Sequence, residues 1–172
     1  LGSSALMNMS VVFISTTEQF QLTETEKKNL RDYISKGGMI VADDAGASMP
    51  NSQSGASLRQ MIKDIAGSRR LEPIPSSHAI YSTPMMLGGP PRGSDTAMTV
   101  VGKIIQPDGT KNEMGVRANE ARSLEGITIN GRLAIVYSPK GYTPKWHEGM
   151  DDPTLKFGVN LITYALGNKQ GN

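Results

Sequence analysis

Val11-Val12-Phe13-Ile14-Ser15 is an unbroken apolar run closed by a polar residue, the pattern of a strand buried on both faces. Thr23-Glu24-Thr25-Glu26 follows as a capping box, with a Glu three residues after a Thr. The helix it opens presents Leu30, Tyr33 and Ile34 on one face and stops at Gly37-Gly38. Met39 to Ala42 then return as a second buried strand. Strand, helix and strand joined by short links make a βαβ unit, which requires the two strands to be parallel.

Further along, Leu58, Met61, Ile62 and Ile65 recur at i, i+3, i+4 and i+7, predicting a second helix closed by Gly67. Prolines extend Leu71-Glu72-Pro73-Ile74-Pro75, and His78-Ala79-Ile80-Tyr81 reads as a short strand or an ordered loop. Met98 to Ile105 read as a strand before the turn Pro107-Asp108-Gly109, while the polar stretch 94–123 gives no pairing. Leu124–Ile129 and Arg132–Ser138 flank Asn130-Gly131, a two-residue hairpin signal. Asp151-Asp152-Pro153 supplies an N-cap and a Pro at the first helical position for a last helix running to about Leu166. No repeat or linker interrupts this order, so residues 1–172 read as one domain with its core between about 10 and 167.

Composition narrows the function classes. At 172 residues, 37% hydrophobic and 20% charged, the chain is long enough for a sizeable core. A net charge of +2 is too small and too dispersed to attract nucleic acid, and Lys27-Lys28 and Arg69-Arg70 read as solvated surface. The absence of cysteine removes disulfides, thiolate metal sites and cysteine catalysis. No apolar run is long enough to span a membrane. The chain begins at Leu1 without Met or a basic leader, and so reads as a piece of something longer. Its compartment is extracytoplasmic if an upstream signal or anchor has been removed, and cytoplasmic otherwise.

The candidate chemistry centres on Asp43 and Asp44, which follow the second strand. The carboxyl end of a strand in an open α/β sheet is where ligands bind. Adjacent residues there project in different directions, so the two acids serve either as acid, base or cation ligands, or as caps for loop amides; the capping role is the simpler. Ser48, Asn51 and Ser52 add oxygen ligands without EF-hand spacing. His78 and His147 are the only histidines. With Asp43 and Asp44 they could form a catalytic group, and Asp43, Asp44, His147 and Glu148 could form a metal site, if the fold gathers them. A His–Asp–Ser triad can be assembled on paper, but no Gly-x-Ser-x-Gly elbow supports it. The turn Gly88–Gly93 lacks the Lys-Ser/Thr of a phosphate loop, though its Arg92 could clamp an anion. Tyr142 and Trp146 could stack on a ligand, although a Trp after a core strand more often covers the core edge. No motif indicates a cofactor.

Several stretches in order resemble an uncharacterised bacterial family of unknown function within the class I glutamine amidotransferase-like superfamily. They are Leu30-Arg31-Asp32-Tyr33 through Gly38, Val41–Asp44, Leu71–Pro75, His78–Tyr81, Leu124–Ile127, Gly131–Ser138, Trp146, and Gly158-Val159-Asn160 through Leu166. The resemblance implies an α/β, three-layer α/β/α, flavodoxin-like fold. Its central sheet would be largely parallel, with a β-hairpin insertion, and its first strand and helix would precede residue 1. In active relatives a Cys nucleophile sits in the turn where this chain has Asp44-Ala45-Gly46, so amide hydrolysis by that route is closed. The expectation is a non-catalytic domain that binds a small molecule or protein partner through Asp44, Ser48, Arg92, Tyr142 and Trp146. The alternatives are a divergent hydrolase or metal enzyme using Asp43, Asp44, His78 and His147, and a structural part of an envelope assembly.

Overall fold

The computed structural model describes residues 1, 4–48, 52–96, 98–105, 107–109, 111–117, 123–149 and 151–169. Its first strand, β1 (Val11–Thr16), leads through helix α1 (Glu24–Ser35) to β2 (Met39–Asp44). β1 and β2 pair in parallel, Val11 opposite Met39 and Thr16 opposite Asp44, as the βαβ pattern requires. The capping box opens α1: the Thr23 hydroxyl accepts from the Glu26 N–H at 3.3 Å, and the Glu26 carboxylate accepts from the Thr23 N–H at 3.0 Å. At the other end Gly37 takes φ 98°, and a Cβ on Gly38 would stand 2.3 Å from the Tyr33 ring. The two glycines therefore serve different needs, a left-handed backbone and a close approach.

Helix α2 (Gln53–Ala66) starts five residues before the periodic apolar stripe, because Ser52 caps it by accepting from the Gly55 N–H. The chain then contributes β3 (Glu72–Pro73), β6 (Glu125–Ile129) and β7 (Arg132–Ser138) to one five-stranded sheet ordered β1-β2-β7-β6-β3. β2 and β7 are parallel, whereas β7–β6 and β6–β3 are antiparallel, so the sheet is mixed rather than largely parallel. The tight turn is responsible: Asn130 (φ 52°) and Gly131 (φ 77°) form the expected two-residue connection, which can join only antiparallel neighbours. Strands β4 (Met98–Ile105) and β5 (Lys111–Arg117) pair with each other in a separate two-stranded sheet, the pairing that sequence had left open. Residues 79–81 form a 3-10 turn instead of a strand, and 143–148 form another in the expected loop. Met49, Pro50 and Asn51 lie outside the described residues.

Side chains of β2 alternate between two cores. Ile40 and Ala42 join Leu30, Tyr33, Leu58, Ile62 and Tyr137 in the cluster under α1 and α2. Met39 and Val41 join Tyr81, Tyr142, Phe157 and Leu161 in the cluster under the last helix, α3 (Pro153–Lys169). Helices therefore cover both faces of the sheet, and consecutive residues at the end of β2 address different faces.

Candidate functional site

Asp43 and Asp44 close β2, and both are almost wholly buried, at 2% and 1% exposure. The pleat sends them apart. Asp43 turns towards the α3 side and receives the loop that follows β7. One of its oxygens accepts from the Tyr142 N–H at 3.0 Å; the other accepts from the Thr143 N–H at 2.8 Å and the Thr143 hydroxyl at 2.7 Å. This carboxyl fastens a segment about a hundred residues downstream to the end of β2.

Asp44 turns towards α2. Its Oδ1 accepts from the Gly46 N–H at 3.1 Å, the Ser52 hydroxyl at 2.8 Å and the Ser54 hydroxyl at 2.6 Å. The two hydroxyls also meet each other at 2.7 Å. Asp44 thus anchors the N-terminal turn of α2, where the aligned peptide dipoles favour a negative group.

Beside it lies a cleft of about 420 Å³. Asp44 from β2, Ser52, Gly55, Ala56 and Arg59 from the start of α2, and Tyr137 from β7 line one part of it. Pro73, Ser123, Glu125 and Pro139 complete the wall. Arg59 binds Glu125 with both terminal nitrogens, at 2.9 and 2.7 Å, and its guanidinium lies over the Tyr137 ring at 4.4 Å. The bonds to Glu125 raise the Arg59 pKa. Burial raises that of the Tyr137 phenol, against the lowering influence of Arg59. The cleft opens where the parallel strands β2 and β7 end, the position expected of a ligand site in an α/β sheet.

Of the residues singled out from sequence, Asp44 and Ser52 line this cleft. Ser48 is exposed in the turn beyond β2, and Arg92 is exposed on another segment. Tyr142 is buried at 3% exposure, and its hydroxyl donates to the Pro91 carbonyl at 2.9 Å. Trp146 packs edge-on against Phe13 with centroids 5.2 Å apart, and its indole N–H donates to the Thr154 carbonyl, so it covers the core edge. His78 caps the turn at 79–81 by accepting from the Ile80 N–H at 3.3 Å, and its ring lies against Tyr164. His147 is exposed. Asp43, Asp44, His78 and His147 are therefore not gathered at one place, and among the described residues no group of three or more His, Asp or Glu side chains could hold a metal ion. The side chain of Glu148 lies outside the described residues.

Sequence reasoning had passed over Tyr137, Arg59 and Glu125. Tyr137 was legible in one respect: alternation along β7 puts it on the same face as Ile135, below α2. It had also passed over a buried ion pair on the other face, Lys140 Nζ to Asp95 Oδ2 at 3.0 Å, with both side chains at most 4% exposed. Asp95 Oδ1 and the Tyr81 hydroxyl are buried there without a hydrogen-bond partner among the described residues.

Residues 1–166 match the family model described as a domain of unknown function, DUF4159. The chain belongs to this family. A comparison with curated proteins found no match. Across the DUF4159 match, no helix among the described residues is long and apolar enough to cross a membrane.

Proposed function

We propose that this DUF4159 chain is a non-catalytic binding domain on a glutamine amidotransferase-like, flavodoxin-like scaffold. It takes a small molecule, or a side chain of a protein partner, in the cleft beyond β2 and β7. The observation that carries the reading is a nearly inaccessible acid, Asp44, forming the inner wall of an open 420 Å³ cleft at the ends of two parallel strands. A buried acid beside a solvent-filled concavity is the usual constellation of a polar ligand site. Support for a non-catalytic role comes from the other walls. No histidine is among the described lining residues, and the hydroxyls of Ser52 and Ser54 already donate to Asp44.

A fragment screen by protein-observed NMR tests the reading, using cationic, anionic and neutral compounds of fewer than about ten heavy atoms. Some class is expected to shift the Gly55, Ala56 and Tyr137 resonances saturably, and Ala56→Trp, at an exposed lining position, is expected to abolish the shifts. If no class shifts these residues, the binding reading falls. Amide or ester turnover by the purified protein that disappears in Asp44→Ala would overturn the non-catalytic part.

A further inference from the structure

Building on that reading, we infer that the cleft recognises a cationic nitrogen that donates hydrogen bonds, a primary ammonium held against Asp44 Oδ2 and the Tyr137 hydroxyl. The argument starts from how the two Asp44 oxygens are used. Every hydrogen bond to its carboxylate from the described part of the chain reaches Oδ1, which has three donors. Oδ2 has none among the described residues, and it faces the cleft that Asp44 lines. A carboxylate oxygen at a cleft wall with no protein donor is met by water or ligand.

Gly55 shows where Oδ2 lies. A Cβ added to Gly55 would stand 2.5 Å from Asp44 Oδ2 and 3.2 Å from the Tyr137 hydroxyl. Both polar atoms therefore converge on the same side-chain-free spot of α2, and all three residues line the cleft. Glycine at this place in the first turn of a helix keeps the two oxygens accessible where any other residue would cover them.

Charge then selects among donors. Among the described lining residues, Asp44 and Glu125 bring two formal negative charges, and Arg59 brings one positive charge that is engaged by Glu125. Two amides at the start of α2 are already served, and a carboxylate already stands beside them. Ser52 already serves the Gly55 N–H with its hydroxyl and the Ala56 N–H with its carbonyl, and Asp44 fills the favourable position at the dipole. An anion would meet a carboxylate, and a neutral hydroxyl would satisfy Oδ2 without supplying the missing positive charge. A primary ammonium does both, with up to three donors for Oδ2, the Tyr137 oxygen and Ser123 or water. It could belong to a free amine or to a lysine side chain of a partner.

The test titrates uniformly labelled protein with n-butylammonium, N-acetyl-lysine methylamide, n-butanol and butyrate, following the Gly55 amide and the Tyr137 ring. A probe of this size should show a Kd of roughly 1–10 mM. Both amines are expected to give saturable shifts, whereas butanol and butyrate are expected to give none. Binding only by the lysine derivative would assign the site to a partner side chain, and equal binding by both would assign it to free amines as well. Tyr137→Phe removes one acceptor and leaves the ring in place; about a five- to tenfold loss of affinity is expected. Asp44→Asn should abolish binding with the fold retained by circular dichroism. Absence of amine binding, or equal binding of butanol, overturns the inference. If the broader fragment screen still finds cleft ligands of another class, the binding function survives and only its cationic chemistry fails.

Discussion

Asp43→Asn should be among the most damaging one-atom changes possible in this chain, although it removes no packing. The buried carboxyl of Asp43 takes two backbone N–H donors and one hydroxyl, at 2.7 to 3.0 Å, and spreads them over both oxygens. An amide has one oxygen. Whichever way it turns, its NH₂ faces either the Tyr142 N–H or the Thr143 N–H and hydroxyl, so at least one backbone donor loses its acceptor. Hydrogen bonds to a charged acceptor are worth about 1.5–3 kcal/mol each, and a buried donor left unmet costs about 1–3 kcal/mol. The orientation that preserves two bonds still forfeits one and creates one clash, giving an expected loss of about 2–4 kcal/mol. With a urea m-value of about 2 kcal/mol/M, the unfolding midpoint should fall by about 1–2 M. The assay is equilibrium urea unfolding followed by far-ultraviolet circular dichroism, with Thr143→Ala beside it as a milder cut of the same contact, expected to lose about 1 kcal/mol. A midpoint for Asp43→Asn within about 0.2 M of wild type would refute the claim that this acid fastens the loop after β7.

Three further outcomes follow from contacts elsewhere. Burial lowers the His78 pKa below its ordinary 6.5, so the fold favours the neutral ring that accepts from Ile80. The unfolded chain then binds the extra proton first: the stability His78 contributes is present above about 6.5 and is lost as pH falls through the lowered folded value. The urea midpoint should decline over that interval, and His78→Asn, which keeps a cap acceptor and cannot titrate, should flatten the decline. Asn160→Leu should cost about 3–5 kcal/mol in the same unfolding assay. Its buried amide accepts from the Met85 N–H at 2.8 Å and donates to the carbonyls of Ile80 and Met85, and leucine would strand all three. Arg132→Met preserves most of the stem but removes the donors that reach the Ile34 carbonyl at 2.6 Å and the Gly38 carbonyl at 3.2 Å. A loss of about 2–3 kcal/mol is expected, with hydrogen exchange fastest at the last turn of α1.

The legible part of the fold was the part coded locally. β1, α1 and β2 followed from two uninterrupted apolar runs around a capped amphipathic helix, and the Asn130-Gly131 turn declared its hairpin. The order of strands was not coded that way. Pro73 and Pro75 lack the N–H that a longer ladder would need, so β3 shrinks to Glu72–Pro73 and reads as extended coil, yet it closes an edge of the sheet. For the site, the adjacent acids marked the right end of β2, but their partners lie far away in sequence: Thr143 is a hundred residues from Asp43. Asn160 looked like any polar residue on a helix until the packing of residues 80–85 gave it three backbone partners. Residue type alone misled in the case of Tyr142, whose ring is taken up by the core under α3, whereas Trp146 covers the core edge as its place after a core strand suggested.

On the proposed reading, the two acids at the end of β2 divide structural and binding work between them. A strand's two-residue period obliges neighbours to face opposite layers, so Asp43-Asp44 cannot act as a pair on one substrate atom. Asp43 spends both oxygens on backbone and hydroxyl donors and does not line the cleft, which makes it an internal fastener. Asp44 concentrates its internal partners on Oδ1 and leaves Oδ2 beside Gly55. Ser54, one of the serines that hold it, is poorly placed to become a nucleophile: it is fully buried, and its hydroxyl is committed to Asp44 at 2.6 Å. A mobile carboxylate would be poor at discriminating ligands, whereas one pinned through a single oxygen presents the other in a fixed direction. On the proposed reading this is the physical reason for recognition rather than turnover, and specificity lies in what can approach Oδ2 past Arg59.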